Sequence, residues 1–296
     1  MKEMVNAEKV LRVPIWTLTK QKHPFSASKL FLYIAVIIVL FIIGCALFPK
    51  LIAPYSPTYM NTELILSKPS GAHLFGTDYF GRDVFSLVIY GSRDSLIIGV
   101  ASVLIGSIIG GSIGGFAGYM GGIVDVIFMR IIEILMTIPG ILLALAIAAA
   151  LGPSLLNIVL AVAASSIPAF ARVMRGQMMS IKKRQYIDAS RSIGTPSWEI
   201  FLWHILPNSF SPLLVMGTIG LGTSILIGSG LSFLGLGIIK EIPDWGALLS
   251  QGRGYLTVGW WISTFPGLAI TLFVLAINII GDKLRDSFDP KTSSTR

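Results

Sequence analysis

The sequence predicts an all-α membrane protein with six transmembrane helices, and three observations predict it. Of 296 residues, 53% are hydrophobic and 13% charged, about half the charged share of a soluble domain. The apolar residues gather into six runs of roughly 20, the length that crosses a hydrocarbon core as a helix. With the N-terminus inside, 17 of the 23 Lys and Arg residues fall in inner segments and 6 in outer ones, which places both termini in the cytoplasm. The net charge of +8 is then a matter of membrane topology, and nucleic acid is not needed as a partner. The 31 glycines and 15 prolines lie among apolar runs, so neither disorder nor collagen is indicated.

The first run, Leu30 to Phe48, follows a polar inner tail of residues 1–29. Ile42-Ile43-Gly44-Cys45 has the form of a lipoprotein cleavage box. Almost thirty mostly polar residues precede the run where a signal peptide carries a short basic region, so it reads as an uncleaved span with a buried thiol. One cysteine also excludes an internal disulfide framework and a cysteine-built metal cage.

The outer segment 49–95 is too polar to cross the membrane. Its apolar-rich stretch through Tyr90 reads as a short amphipathic helix on the outer interface. Gly76 and Gly81 are spaced as in a phosphate loop, but Arg82-Asp83 stand where Lys and Ser or Thr are needed, and no buried strand precedes them.

Span two, Leu96 to Tyr119, carries Gly106, Gly110, Gly114, Gly118 and Gly122 at i+4 spacing. Each glycine costs about 1 kcal/mol of helix propensity, and on one face they form a flat ridge for close helix packing. Span three, Val124 to Leu151, holds Asp125, Arg130 and Glu133, charges that are candidate functional groups at membrane depth. Arg130 and Glu133 are three apart, so an ion pair within the helix serves as well as a role on a transport path. Pro139-Gly140 bends the same helix.

After span four, Leu155 to Val173, comes the largest inner loop, 174–212. Its first part reads as a helix stopped by Gly194. Thr195 suits an N-cap, Pro196 the first position of a second helix and Glu199 its first turn, with that helix running out by Pro207. Two short helices at a glycine corner make a knob whose basic, aromatic and apolar residues suit a protein groove; an amphipathic helix on anionic lipid is the alternative. Spans five and six, Leu213 to Ile238 and Trp261 to Ile280, complete the six, and residues 282–296 form an inner tail. His23, His73 and His204 fall in three different polar segments with no metal-ligand or nucleophile spacing, so membrane enzyme chemistry is unsupported.

At this loop the sequence resembles the permease subunits of binding-protein-dependent ABC importers. Asp188-Ala189-Ser190, Gly194 and Leu206-Pro207 stand at the spacing of that family's Glu-Ala-Ala, three residues, Gly, nine residues, Ile, one residue, Leu-Pro motif. Asp replaces Glu, Ser190 the second Ala, and His204 the Ile, with Ile205 just after it. Leu74 to Asp83, Gly91 to Leu96, Leu231 to Gly237, Trp245-Gly246, Phe265-Pro266-Gly267 and Asn278 to Pro290 extend the resemblance to one branch, the C-type permeases of dipeptide, oligopeptide and nickel importers.

The resemblance implies a type I ABC importer permease fold with its core at 96–281 and no catalytic site or cofactor on this chain. It implies a related B-type permease subunit, two ABC ATPase subunits that bind ATP and Mg, an extracytoplasmic substrate-binding protein and a peptide substrate. The helix around Asp188 to Gly194 would insert into an ATPase cleft and act as a rigid lever, with Ala189 and Ser190 keeping its contact face slim. A nickel chelate is the alternative cargo, yet the outer segments hold one His, one Met and no Cys, nothing like a soft metal relay. A gradient-driven carrier is disfavoured by the lack of an ionisable relay and of an inverted second half.

Overall fold

The computed structural model describes residues 27–237 and 240–288. Nine helices of eight residues or more organise the described residues: α1 Ala27–Leu47, α2 Val84–Met120, α3 Gly122–Met136, α4 Gly140–Leu151, α5 Leu155–Lys182, α6 Gln185–Ser192, α7 Ser197–Leu236, α8 Trp245–Gly252 and α9 Trp261–Phe288. The inner tail expected at 1–29 lies outside them up to residue 26, and the tail expected at 282–296 is helical as far as Phe288.

Helices α1, α2, α5, α7 and α9 are each long and apolar enough to cross a membrane. The expected third span is not one helix: α3 and α4 meet at 87° across Thr137-Ile138-Pro139. Pro139 has no N–H to continue the ladder and forces the residue before it out of the helical region. The two ends of the pair are nevertheless pinned far apart on α5. Arg175 grips Asp125 near the start of α3, and Asn157 Nδ2 donates to the Leu151 and Gly152 carbonyls at the end of α4. From 157 to 175 is about 27 Å of helix at 1.5 Å per residue, nearly the thickness of a hydrocarbon core. Counted as one broken span, the pair brings the total to six.

The expected interfacial helix before Tyr90 is instead the first part of α2. Asp83 accepts a hydrogen bond from the Ser86 N–H and caps it, and Val84, Leu87 and Ile89 are buried. Trp245 covers this stretch, donating from Nε1 to the Val88 carbonyl at 2.8 Å. A surface strip thereby becomes core.

Helices α2 and α5 run parallel in one register. The Ser102 hydroxyl donates to the Val159 carbonyl, and the glycines continue the same offset of 57 residues. A Cβ added at Gly106, Gly110, Gly114 or Gly118 would meet the carbonyl of Ala163, Ile167, Ala171 or Arg175, at 2.5 Å for Gly110 and 2.9 Å for Gly118. Backbones this close are held by dispersion and Cα–H···O contacts, which any side chain would break. Gly122 departs from the expected ridge: it has φ +56° and nothing within 4 Å of an added Cβ, because α2 ends at Met120 and the chain has already turned away.

Candidate functional site

The segment expected on the inner side, 174–212, begins within the last turns of α5. α5 runs nine residues past the expected limit of Val173, to Lys182. After Lys183-Arg184 the chain re-enters a helix as α6. Gly194 closes α6 with φ +86°, and the Thr195 N–H donates to the Ser190 carbonyl while the Gly194 N–H donates to Arg191. A left-handed residue at this point is what glycine supplies without a Cβ penalty.

The second helix differs from its expected form at both ends. Pro196 is the cap, Ser197 the first helical residue, and no side chain caps it. The helix does not stop at Pro207: it widens into π turns over Ile200–Ile205 and continues as the membrane-crossing part of α7. The Leu206 N–H reaches back five residues to Phe201, and the wide turn makes room for a proline ring that an ordinary turn would reject. In a π turn residues five apart share a face, which puts Ile200 and Ile205 together in the core. His204, at the family's Ile position, faces Tyr186 with ring centroids 6.5 Å apart, and Ile205 takes the buried place.

Ile187, Ile200 and Ile205 pack on Met174, Met178, Ile181 and Leu213, so the knob sits on an apolar cluster shared by α5 and α7. Tyr119 ties it to α2, donating from its hydroxyl to the Ser197 carbonyl while its own carbonyl accepts from Lys182 Nζ. The opposite face is open. Asp188, Ala189, Gly194 and Pro207 are exposed, Ser190 and Leu206 are half-buried, and Ile193 and Trp203 are 83% and 73% exposed. The structure therefore brings Asp188 to Gly194 onto one corner and leaves Leu206-Pro207 in the shaft behind it.

Arg130 donates to Glu133 across one turn of α3 at 3.3 Å, with both side chains mostly exposed. Sequence spacing missed the stronger contact beside it: Arg175 holds Asp125 through Nε at 2.5 Å and Nη2 at 2.6 Å. Fifty residues separate the partners, so no local pattern signals them.

The opposite end of the bundle carries a second constellation. Asp78 accepts from the Arg82 side chain and from the Phe80 and Arg82 N–H groups, its side chain 1% exposed. Arg82 also donates to the Glu241 carbonyl, His73 Nδ1 stands 2.9 Å from Asp83, and Trp261 Nε1 donates to the Thr77 carbonyl. One motif thus clasps the outer loop, α2, the 240s loop and α9.

Two clefts flank α7. One of about 1270 Å³ lies against α2 and α5 and is walled by Leu104, Ile108, Phe116, Phe210 and Leu214. The other, about 890 Å³, lies among α4, α5, α7 and α9 and presents the hydroxyls of Ser165, Ser166, Ser211, Thr223 and Ser224, with Arg285 at one end.

Residues 96–294 match the family described as the binding-protein-dependent transport system inner membrane component. The glutathione transport system permease protein GsiD of Pectobacterium atrosepticum is 42% identical over 291 residues, 97% of this chain and 94% of the relative. The probable D,D-dipeptide transport system permease protein DdpC of Escherichia coli K12 is 41% identical over 257 residues, 87% and 86% of the two chains. Among solved structures, an inward-facing MetNI methionine ABC transporter chain superposes with a TM-score of 0.57 at 20% identity, covering 69% of this chain and 98% of that one.

Proposed function

The chain belongs to the family of inner membrane components of binding-protein-dependent transport systems, and on that premise we propose that it is half of an ATP-driven peptide import path, driven through the corner at Gly194. As a permease component it carries no catalysis of its own. ATP and Mg belong to two ATPase subunits, and a B-type permease and an extracytoplasmic binding protein complete the assembly. Both termini lie in the cytoplasm, with the core at 96–281, the coupling loop at 174–212, and the segments 1–29, 30–48, 49–95 and 282–296 around them.

The observation that carries this reading is the continuity of α7 from the exposed corner into the membrane. A push on α6 loses little in a flexible joint, because the knob rests on a buried apolar cluster and leads directly into a crossing helix. Asp188, Ala189, Ser190 and Gly194 form the gripped face, and Leu206 and Pro207 shape the shaft. The cleft with Ser165, Ser166, Ser211, Thr223 and Ser224 is this chain's wall of the path, since a peptide backbone needs hydrogen-bonding partners and the other cleft, whose hydroxyls stand among Leu104, Ile108, Phe116, Phe210 and Leu214, is the more apolar of the two. Gly106, Gly110, Gly114 and Gly118 keep α2 and α5 together as the frame.

Relatives named for glutathione and a dipeptide favour peptides over a nickel chelate. The test is ATP hydrolysis by the reconstituted complex with its binding protein. Di- and tripeptides are expected to stimulate it; stimulation by a nickel chelate alone would replace the peptide assignment.

A further inference from the structure

We infer that Asp125 and Arg175 are positioning residues for transport, a fork that makes α3 follow the inner end of α5. This rests on the reading of α6 as the driven element. Four observations carry it. The contact is bidentate, with both carboxylate oxygens taken by one planar guanidinium, the arrangement that fixes orientation as well as distance. Arg175 stands two turns before Lys182, where α5 leads into α6, so it moves with the driven corner.

Helix α3 is bounded by joints at both ends. Gly121 and Gly122 have φ of +70° and +56°, and the 87° break lies at the other end. Between these joints α3 is otherwise held by one small cluster, where Phe128, Met129 and Ile132 meet Phe116, Ala117 and Ala171, while Ile123, Val126, Ile127, Ile131 and Ile134 are exposed. A stiff fifteen-residue rod on two joints takes its angle from whatever holds its side. Displacing the inner end of α5 therefore swings α3, and with it α4, whose first residue borders the hydroxyl-lined cleft.

The experiment uses the full complex in proteoliposomes and reads peptide uptake and ATP hydrolysis together. Asp125→Asn is expected to lower uptake per ATP by about tenfold or more, within the usual range of a coupling energy, with ligand-stimulated hydrolysis kept. Arg175→Lys keeps the charge and loses the fork, so a smaller loss is expected. The exchange Asp125→Arg with Arg175→Asp should restore coupling. Unchanged uptake per ATP in Asp125→Asn overturns the inference, as does an assembled exchange variant that stays uncoupled. If both single variants fail to accumulate, the pair is a structural staple and the inference is also overturned. Gly194→Val, assayed alongside, separates the two readings: normal uptake there defeats the coupling corner itself, whereas normal uptake in Asp125→Asn alone defeats only the fork.

Discussion

The clasp at Asp78 and the corner at Gly194 are both turns that lead into long helices, and they are built in opposite ways. At the clasp the polar groups turn inward: Asp78 and Arg82 are buried and saturated with hydrogen bonds, and Trp261 closes over the loop. At the corner the apolar groups turn outward, with Ile193, Trp198 and Trp203 largely exposed, and only one face anchored. Buried, satisfied polar groups make a region rigid and specify one arrangement. Exposed aromatics beside a rigid turn mark a surface waiting for a partner. On the function proposed above, the clasp is a fixture and the corner a handle.

The strongest way to break that contrast is at the clasp. Arg82→Ala leaves the Asp78 carboxylate buried without its cation, a loss of about 3–5 kcal/mol. The variant is expected to accumulate poorly and to denature at a clearly lower temperature in detergent. Native-like stability would mean that the clasp is ornamental.

The corner should respond differently. Gly194→Val places a β-branched residue at a left-handed φ, a local strain of about 1–3 kcal/mol, in an exposed turn that can relax without unfolding the bundle. Accumulation should stay near normal while uptake is lost, read from membrane protein level and transport in the same vesicles. A smaller effect on the protein is expected from Trp203→Ala, within about 0.5 kcal/mol for an exposed position. Its effect should appear as weaker co-purification of the ATPase subunits; unaltered co-purification would show that the handle is gripped elsewhere.

The smallest effect concerns pH at the clasp end of the bundle. Burial pushes the Asp244 carboxyl above the ordinary aspartate range, against hydrogen bonds from the Ala247 N–H, the Ser232 hydroxyl and the Gly246 N–H that favour the charged form, while Asp94 adds repulsion. A carboxyl with a raised folded pKa binds its proton more readily folded than unfolded, so stability rises as pH falls through the folded pKa and the gain is complete below the unfolded one. Asp244→Asn should flatten that slope in thermal denaturation between neutral and acidic pH, while the cap on α8 persists through the amide oxygen.

Much of this architecture was legible from local pattern. The apolar runs announce the spans, the i+4 glycines a ridge, Gly194 a helix stop and Arg130–Glu133 a pair one turn apart, since each depends on residues within a turn or two of one another. Even there the limits are local: Gly122 continues the spacing yet not the helix, and Pro207 reads as a stop although a π turn carries the helix past it.

What composition and periodicity determine by themselves is the solvent of each segment, because transfer into lipid depends on the residues of one run. They determine how many runs there are and where the chain must turn. Tertiary structure alone decides that Val84 to Tyr90 is core rather than surface, since Trp245, more than 150 residues away, and the α1 and α9 residues of the same cluster cover it. It alone brings Arg175 to Asp125 and sets two grooves beside α7, one more apolar than the other. Those outcomes depend on pairwise distance, and distance between residues far apart in the chain is a property of the folded bundle.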